Sequence, residues 1–283
     1  MQSVIKISKM SGKLDGFRAI STNTLTNPFC IKMNASKKQD NICTKCYSVA
    51  MLNGLRKNCA PAWQHNSDML SGGIIPDHML PTILDAFFRF SAHGELINLT
   101  HLENLHNIAL HNPHCSFALW TKRKDFIRKF YSQHQKPANL ILIYSNPTIN
   151  RVMQSPPEFF DRTFNNVEKH FKGIEQNCTG QKCRDCLLCY TIGNGVQTIV
   201  EAVKWQTGRH YSFFGVSCRF GVGSGGGGII GSVELGADPS GRGGNFSIFS
   251  RPVFYLNFFL AGGFPSRQIG VWFVYVKCSI NER

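Results

Sequence analysis

The chain has 283 residues and a hydrophobic content of 42%, enough to bury one large core or two small ones, which excludes an intrinsically disordered protein. Its net charge of +14 favours polyanions, nucleic acid among them, as partners. The opening "MQSVIKISKM" has no apolar stretch of the secretory kind, and the longest apolar run, at 253–264, is too short to span a bilayer. The expectation is a cytoplasmic protein without a membrane partner. The 11 cysteines of a chain in a reducing compartment read as metal ligands or catalytic groups before disulfides.

In chain order, the first feature is "CIKMNASKKQDNICTKCYS", with Cys30, Cys43 and Cys46. Three thiols with a fourth position open suit a [4Fe–4S] cluster whose last iron takes an exogenous ligand. Alternatively, Cys43 and Cys46 belong to a structural zinc site completed by other groups. "AFFRFS" at 86–91 reads as a buried strand. Leu99, Leu102, Leu105, Ile108 and Ala109 then share one face of a helix over 99–110. His93, His101, His106, His111 and His114 crowd this region, and apart from His93, at a strand end, they are expected on the polar side of a surface helix.

"CSFALWT" at 115–121 is the next strand, 124–135 a helix with Phe126, Ile127, Phe130 and Tyr131 on its apolar side, and "NLILIYS" at 139–145 another strand. Strands and helices alternating through short connections specify βα units and a parallel sheet. The spacing then predicts a helix over 156–174, opened by Pro156 and Pro157, and a last helix near 196–205.

Between those two lies "QNCTGQKCRDCLLCY", where Cys178, Cys183, Cys186 and Cys189 are spaced C-x4-C-x2-C-x2-C. Each C-x2-C step lets two sulfurs converge across a tight turn, and thiolates select zinc, Cu(I) or iron–sulfur clusters over hard ions. Leu187, Leu188 and Tyr190 would shield such a centre from water. Cys59, Cys115, Cys218 and Cys278 stand alone and read as inert thiols. "TKRKDFIRK" at 121–129 is the one dense basic stretch.

The chain changes character near residue 206. The last segment holds 16 of the 26 glycines and 10 of the 22 phenylalanines without helical or strand periodicity. It is either a glycine-rich appendage or not a native continuation of the gene product. The domain reading is therefore a metal-binding α/β domain over 1–205 and a tail over 206–283 to which no function is assigned.

"CTKCYS", "RFSAHGELIN", "NPHCSFALWTKR" and the late cysteine cluster followed by Tyr190 occur in this order. Over about residues 5–205 that order resembles the phage-associated gene product 88 domain family. More remotely it is similar to radical S-adenosylmethionine enzymes, which place three cysteines after the first barrel strand and a Gly-Gly-Glu motif after the second. The resemblance implies a partial (β/α) barrel with cysteine-rich loops. Gly94 and Glu95 would then receive the methionine moiety of S-adenosylmethionine, and Cys30, Cys43 and Cys46 would hold a [4Fe–4S] cluster beside an as yet unidentified substrate. The first cysteine interval is twelve residues here, where those enzymes have three. The competing expectation is a zinc-stabilised nucleic-acid-binding protein without catalysis.

Overall fold

The computed structural model describes residues 5–203. The chain divides into two units, Met1–Phe213 and Phe214–Arg283, and all described residues belong to the first. The tail expected over 206–283, with Cys218 and Cys278, lies outside the described residues.

Among the described residues seven strands form one sheet: β1 (Ile7–Lys9), β2 (Arg18–Ile20), β3 (Phe87–Phe90), β4 (Ser116–Thr121), β5 (Leu140–Ser145), β6 (Arg162–Val167) and β7 (Thr198–Ala202). Their spatial order is their chain order. β1 runs antiparallel to β2, and every later pairing is parallel, with Phe117 opposite Leu140 and Phe164 opposite Ile199. The protein is thus α/β with a mostly parallel sheet, stepping in one direction as barrel strands do, but among the described residues β1 and β7 are edges and the sheet does not close. β4 and β5 are buried along almost their whole length, as continuous apolar runs in a parallel sheet require.

Among the described residues six α-helices accompany the sheet: α1 (Pro28–Asn34), α2 (Tyr47–Leu52), α3 (Ala60–Gly72), α4 (Leu99–His111), α5 (Lys124–Tyr131) and the single turn α6 (Cys183–Cys186). α4 starts where Asn98 caps the His101 amide, and buries Leu102, Leu105, Ile108 and Ala109. α5 adds Ile127, Phe130 and Tyr131, and together they cover the sheet face bearing Phe88, Phe90, Phe117, Leu119, Leu140 and Leu142. The opposite face carries Ala118, Trp120, Ile141 and Ile143. Among the described residues no long helix covers that face; instead Tyr190, Leu187, Cys183 and Cys189 of the late cysteine segment pack there with Phe17.

Three sequence expectations are corrected. The helix expected over 156–174 is strand β6, and the one near 196–205 is strand β7. β6 alternates buried and half-buried residues, but its buried members include Arg162, Thr163 and Asn165, so no apolar pattern announces it. Their polar groups are satisfied by neighbouring loops: Thr163 Oγ1 donates to Met153 O at 2.7 Å, and Arg162 donates to Leu188 O and Thr191 O. In β7 the β-branched Thr198, Ile199 and Val200 favour the strand. Third, α4 is not a helix with its histidines in solvent, because His101 and His106 are buried. Among the described residues no helix is long and apolar enough to cross a membrane.

Candidate functional site

A cavity of about 500 Å³ opens at the carboxyl ends of the parallel strands, where open α/β sheets place their ligands. Both cysteine sets line it. The long first interval is taken up locally. Asn27 accepts from the amides of Phe29 and Cys30 to start α1, with Pro28 preset for the first turn. The chain then doubles back, as Asn41 Nδ2 donates to Met33 O at 3.2 Å, and Asn34 Nδ2 to Cys43 O at 2.8 Å. Asn41 also accepts from the Cys43 amide, and Cys46 follows as the residue that opens α2. Asn27 Nδ2 donates to Glu95 O at 2.8 Å, which ties this loop to the exit of β3.

Half-buried Lys122, just past β4, stands among these thiols. Burial pulls its ammonium down, but Cys43, Glu95, Cys46 and Cys30 together hold it above its ordinary value. Its Nζ donates to Ser145 Oγ at 3.1 Å, at the end of β5. Burial pushes the Cys30 and Cys43 thiols up; Glu95 adds to this and Lys122 opposes it at both.

Glu95 is 4% exposed and fixed by three donors. Its Oε1 accepts from the Leu96 amide at 2.8 Å and Thr121 Oγ1 at 2.5 Å, and its Oε2 accepts from the Lys122 amide at 2.8 Å. A carboxylate has about four acceptor positions, so one is left. Gly94 has φ +83, and a Cβ there would lie 2.0 Å from Thr22 Oγ1. The space glycine leaves is filled by the end of β2, and the residue type is set by this backbone packing.

His93 is buried against Trp63, with ring centroids 4.2 Å apart, and its Nδ1 shares a hydrogen bond with Ser48 Oγ at 2.9 Å. Burial, reinforced by Arg56 and Arg89, lowers it to about 3, and burial alone lowers His101 to about 3. Both stay neutral in the fold while the unfolded chain protonates near the ordinary 6.5. The unfolded state therefore binds more protons below 6.5, so stability is complete above that pH and falls as pH drops toward 3. Each histidine is expected to remove about 2 kcal/mol between pH 7 and pH 5. Urea denaturation at several pH values, with ring NMR shifts showing neutral His93 and His101 at pH 5, checks this. Protonation of both near 6 in the folded protein would refute it.

The late set sits on the sheet face that lacks long helices. Cys178 is held beside β7 by its amide bond to Val200 O, and its Sγ accepts from Lys13 Nζ at 2.8 Å. Lys13 also pairs with Glu201 at 2.7 Å. Cys183 and Cys186 bracket α6, which Leu187 ends in the left-handed region (φ 50), turning the chain to Cys189 and Tyr190. Burial pushes Cys189 up to about 12 against the pull of Arg89, and raises Cys183 against Lys13 and Arg89. Tyr190 anchors the segment, its ring 4.5 Å from Phe17, while Ser116 Oγ donates to its carbonyl at 2.7 Å.

Among the described residues no three His, Cys, Asp or Glu side chains are drawn together closely enough to hold a metal ion. The donor chemistry fits one nonetheless. Within each set the thiols feel one another's charge, they are partly sheltered, and a cation that favours thiolate stands beside them. Of the lone cysteines, Cys115 is buried in the core and Cys59 is half-buried.

Sequence reasoning missed Lys122, Arg89 and Lys13. Lys122 and Arg123 belong to the dense basic stretch at 121–129, which was given no place in the site, yet Lys122 lines the cavity. The Arg123 guanidinium lies 3.4 Å from the Phe126 ring centroid and is paired with Asp125. Comparison of the chain with protein-family models, curated proteins and solved structures gives no match.

Proposed function

We propose that the protein is an iron–sulfur enzyme of radical S-adenosylmethionine type, acting on a substrate in the cavity between its two cysteine sets. The observation that carries this is that Cys30, Cys43 and Cys46 and the four late cysteines, far apart in the chain, open onto one cavity at the carboxyl edge of a parallel sheet. The order of parts supports it as well: three cysteines follow the first parallel-paired strand, and a fixed carboxylate follows the second. The resemblance to the phage-associated gene product 88 domain family belongs to the same reading.

Cys30, Cys43 and Cys46 would hold a [4Fe–4S] cluster, with Lys122 offsetting thiolate charge. The late cysteines would hold an auxiliary or structural centre of iron or zinc. When bound, a reduced cluster supplies one electron to the sulfonium of S-adenosylmethionine. Glu95, immobilised by its three donors, offers its remaining acceptor position to the cofactor ammonium. Trp120, Leu187 and Tyr190 give the chamber apolar walls that limit water. The zinc-stabilised nucleic-acid binder rests on the net charge of +14, and the inward placement of Lys122 and the pairing of Arg123 weaken it.

The test is cofactor turnover. Reduced, iron-loaded protein is expected to cleave S-adenosylmethionine slowly without substrate, and Cys43→Ser to abolish cleavage by removing a ligand. Wild-type protein that neither binds nor cleaves the cofactor would overturn the radical reading.

A further inference from the structure

The cavity holds a second polar feature besides Glu95. Arg89 points from within β3 along the face that carries the late cysteines, and its guanidinium carbon lies 3.9 Å from the Trp120 ring centroid. An arginine is charged at any ordinary pH and needs acceptors. Among the described residues no carboxylate forms an ion pair with it, and its buried Nε has no hydrogen-bond partner. Beside it Tyr190 is 1% exposed, and its hydroxyl, which lies next to the Arg89 guanidinium, finds no acceptor for its own proton. Leaving one buried donor unsatisfied costs about 1–3 kcal/mol, and two side by side on a cavity wall imply a missing acceptor common to both.

The other cations of the wall are differently placed. Lys13 is held by Glu201 and Cys178, and Lys122 stands among Glu95 and the first three thiols. Arg89 thus stands against the apolar Trp120, Phe164 and Ile199, with Tyr190, Tyr47, Cys183 and Cys189 as its polar neighbours and no carboxylate among them. A planar guanidinium prefers a planar, singly charged carboxylate, and the aromatic wall suits an apolar body attached to it.

We propose that Arg89 and Tyr190 form an anion-recognition point for the substrate, which is a small carboxylic acid with an apolar body seated on Trp120 and Phe164. This rests on the reading of the cavity as a reaction chamber, but not on the identity of the metal. Neither residue is given a part in the chemistry; both position the ligand.

The experiment is calorimetric titration of the protein as purified with benzoate and with its neutral counterpart benzamide, with metal content measured on the same samples. Benzoate is expected to bind at least about tenfold more tightly. Arg89→Gln should erase that preference, and Tyr190→Phe should weaken benzoate roughly tenfold, both with metal content unchanged. Absent benzoate binding, equal binding of the two probes, or full benzoate affinity in Arg89→Gln would overturn the proposal. So would loss of metal in Arg89→Gln, since Arg89 would then serve Cys183 and Cys189. If Arg89→Gln does not fold, Tyr190→Phe and the wild-type comparison decide. A benzoate preference in protein that lacks iron would sink the radical reading and leave this site standing.

Discussion

Cys183→Ser and Cys186→Ser are each expected to release metal from the late set and to cost stability on the order of 10 kcal/mol, since the affinity of a structural metal is folding free energy. The size follows from how little else holds the segment. Between β6 and β7 the only regular element is the four-residue α6, and a connection of that length without its own structure is uncommon in a compact domain. Its anchors are Tyr190 on Phe17 and Trp120, the Lys13 bond to Cys178, and the Arg162 bonds to Leu188 O and Thr191 O. Those contacts hold the two ends of the segment against the sheet, and in the proposed site a metal would close the C-x4-C-x2-C-x2-C stretch between them. Metal analysis with urea denaturation checks the expectation. Unchanged stoichiometry and midpoint in both variants would remove the late site.

Glu95→Gln is the second large effect, and it combines two losses. An amide offers one acceptor oxygen where Glu95 uses two, so whichever way it turns, a buried N–H or hydroxyl donor faces an NH2 group. Losing a charge-assisted bond and stranding a buried donor should lower stability by about 3–5 kcal/mol. S-adenosylmethionine affinity should also fall roughly ten- to a hundredfold, because the ammonium loses its counter-charge. Denaturation and equilibrium binding separate the two, with iron content as the control. A stable variant with unaltered cofactor affinity would show that Glu95 does neither.

The middle of the fold was legible because its chemistry is local. "SFALWT" and "LILIYS" are apolar on both faces, and Leu102, Leu105 and Ile108 recur at helical spacing, so β4, β5 and α4 announce themselves. β6 did not, because Arg162, Thr163 and Asn165 are buried through hydrogen bonds to loops whose position depends on the rest of the fold. β1 and β2 are only three residues long and carry too few positions for a period. The buried histidines of α4 were misread for a similar reason: a histidine reads as polar until its environment is known.

The cysteine spacing identified the candidate ligands, but not their meeting in one cavity. That meeting is a product of strand order, which puts the exits of β2 and β3 and the segment before β7 on one edge. Lys122 was hidden for the opposite reason. It lies in a run of cations, and only the turn after β4 sends it inward while Lys124, Arg128 and Lys129 stay exposed.

The central claim, that this cavity is built around iron and sulfide, is tested most directly by the metal content of protein purified without oxygen. The account predicts a brown protein carrying iron with matching acid-labile sulfide, lost in part from Cys43→Ser and in part from Cys186→Ser. A colourless protein with zinc alone, or one with no metal in either cysteine set, would contradict it.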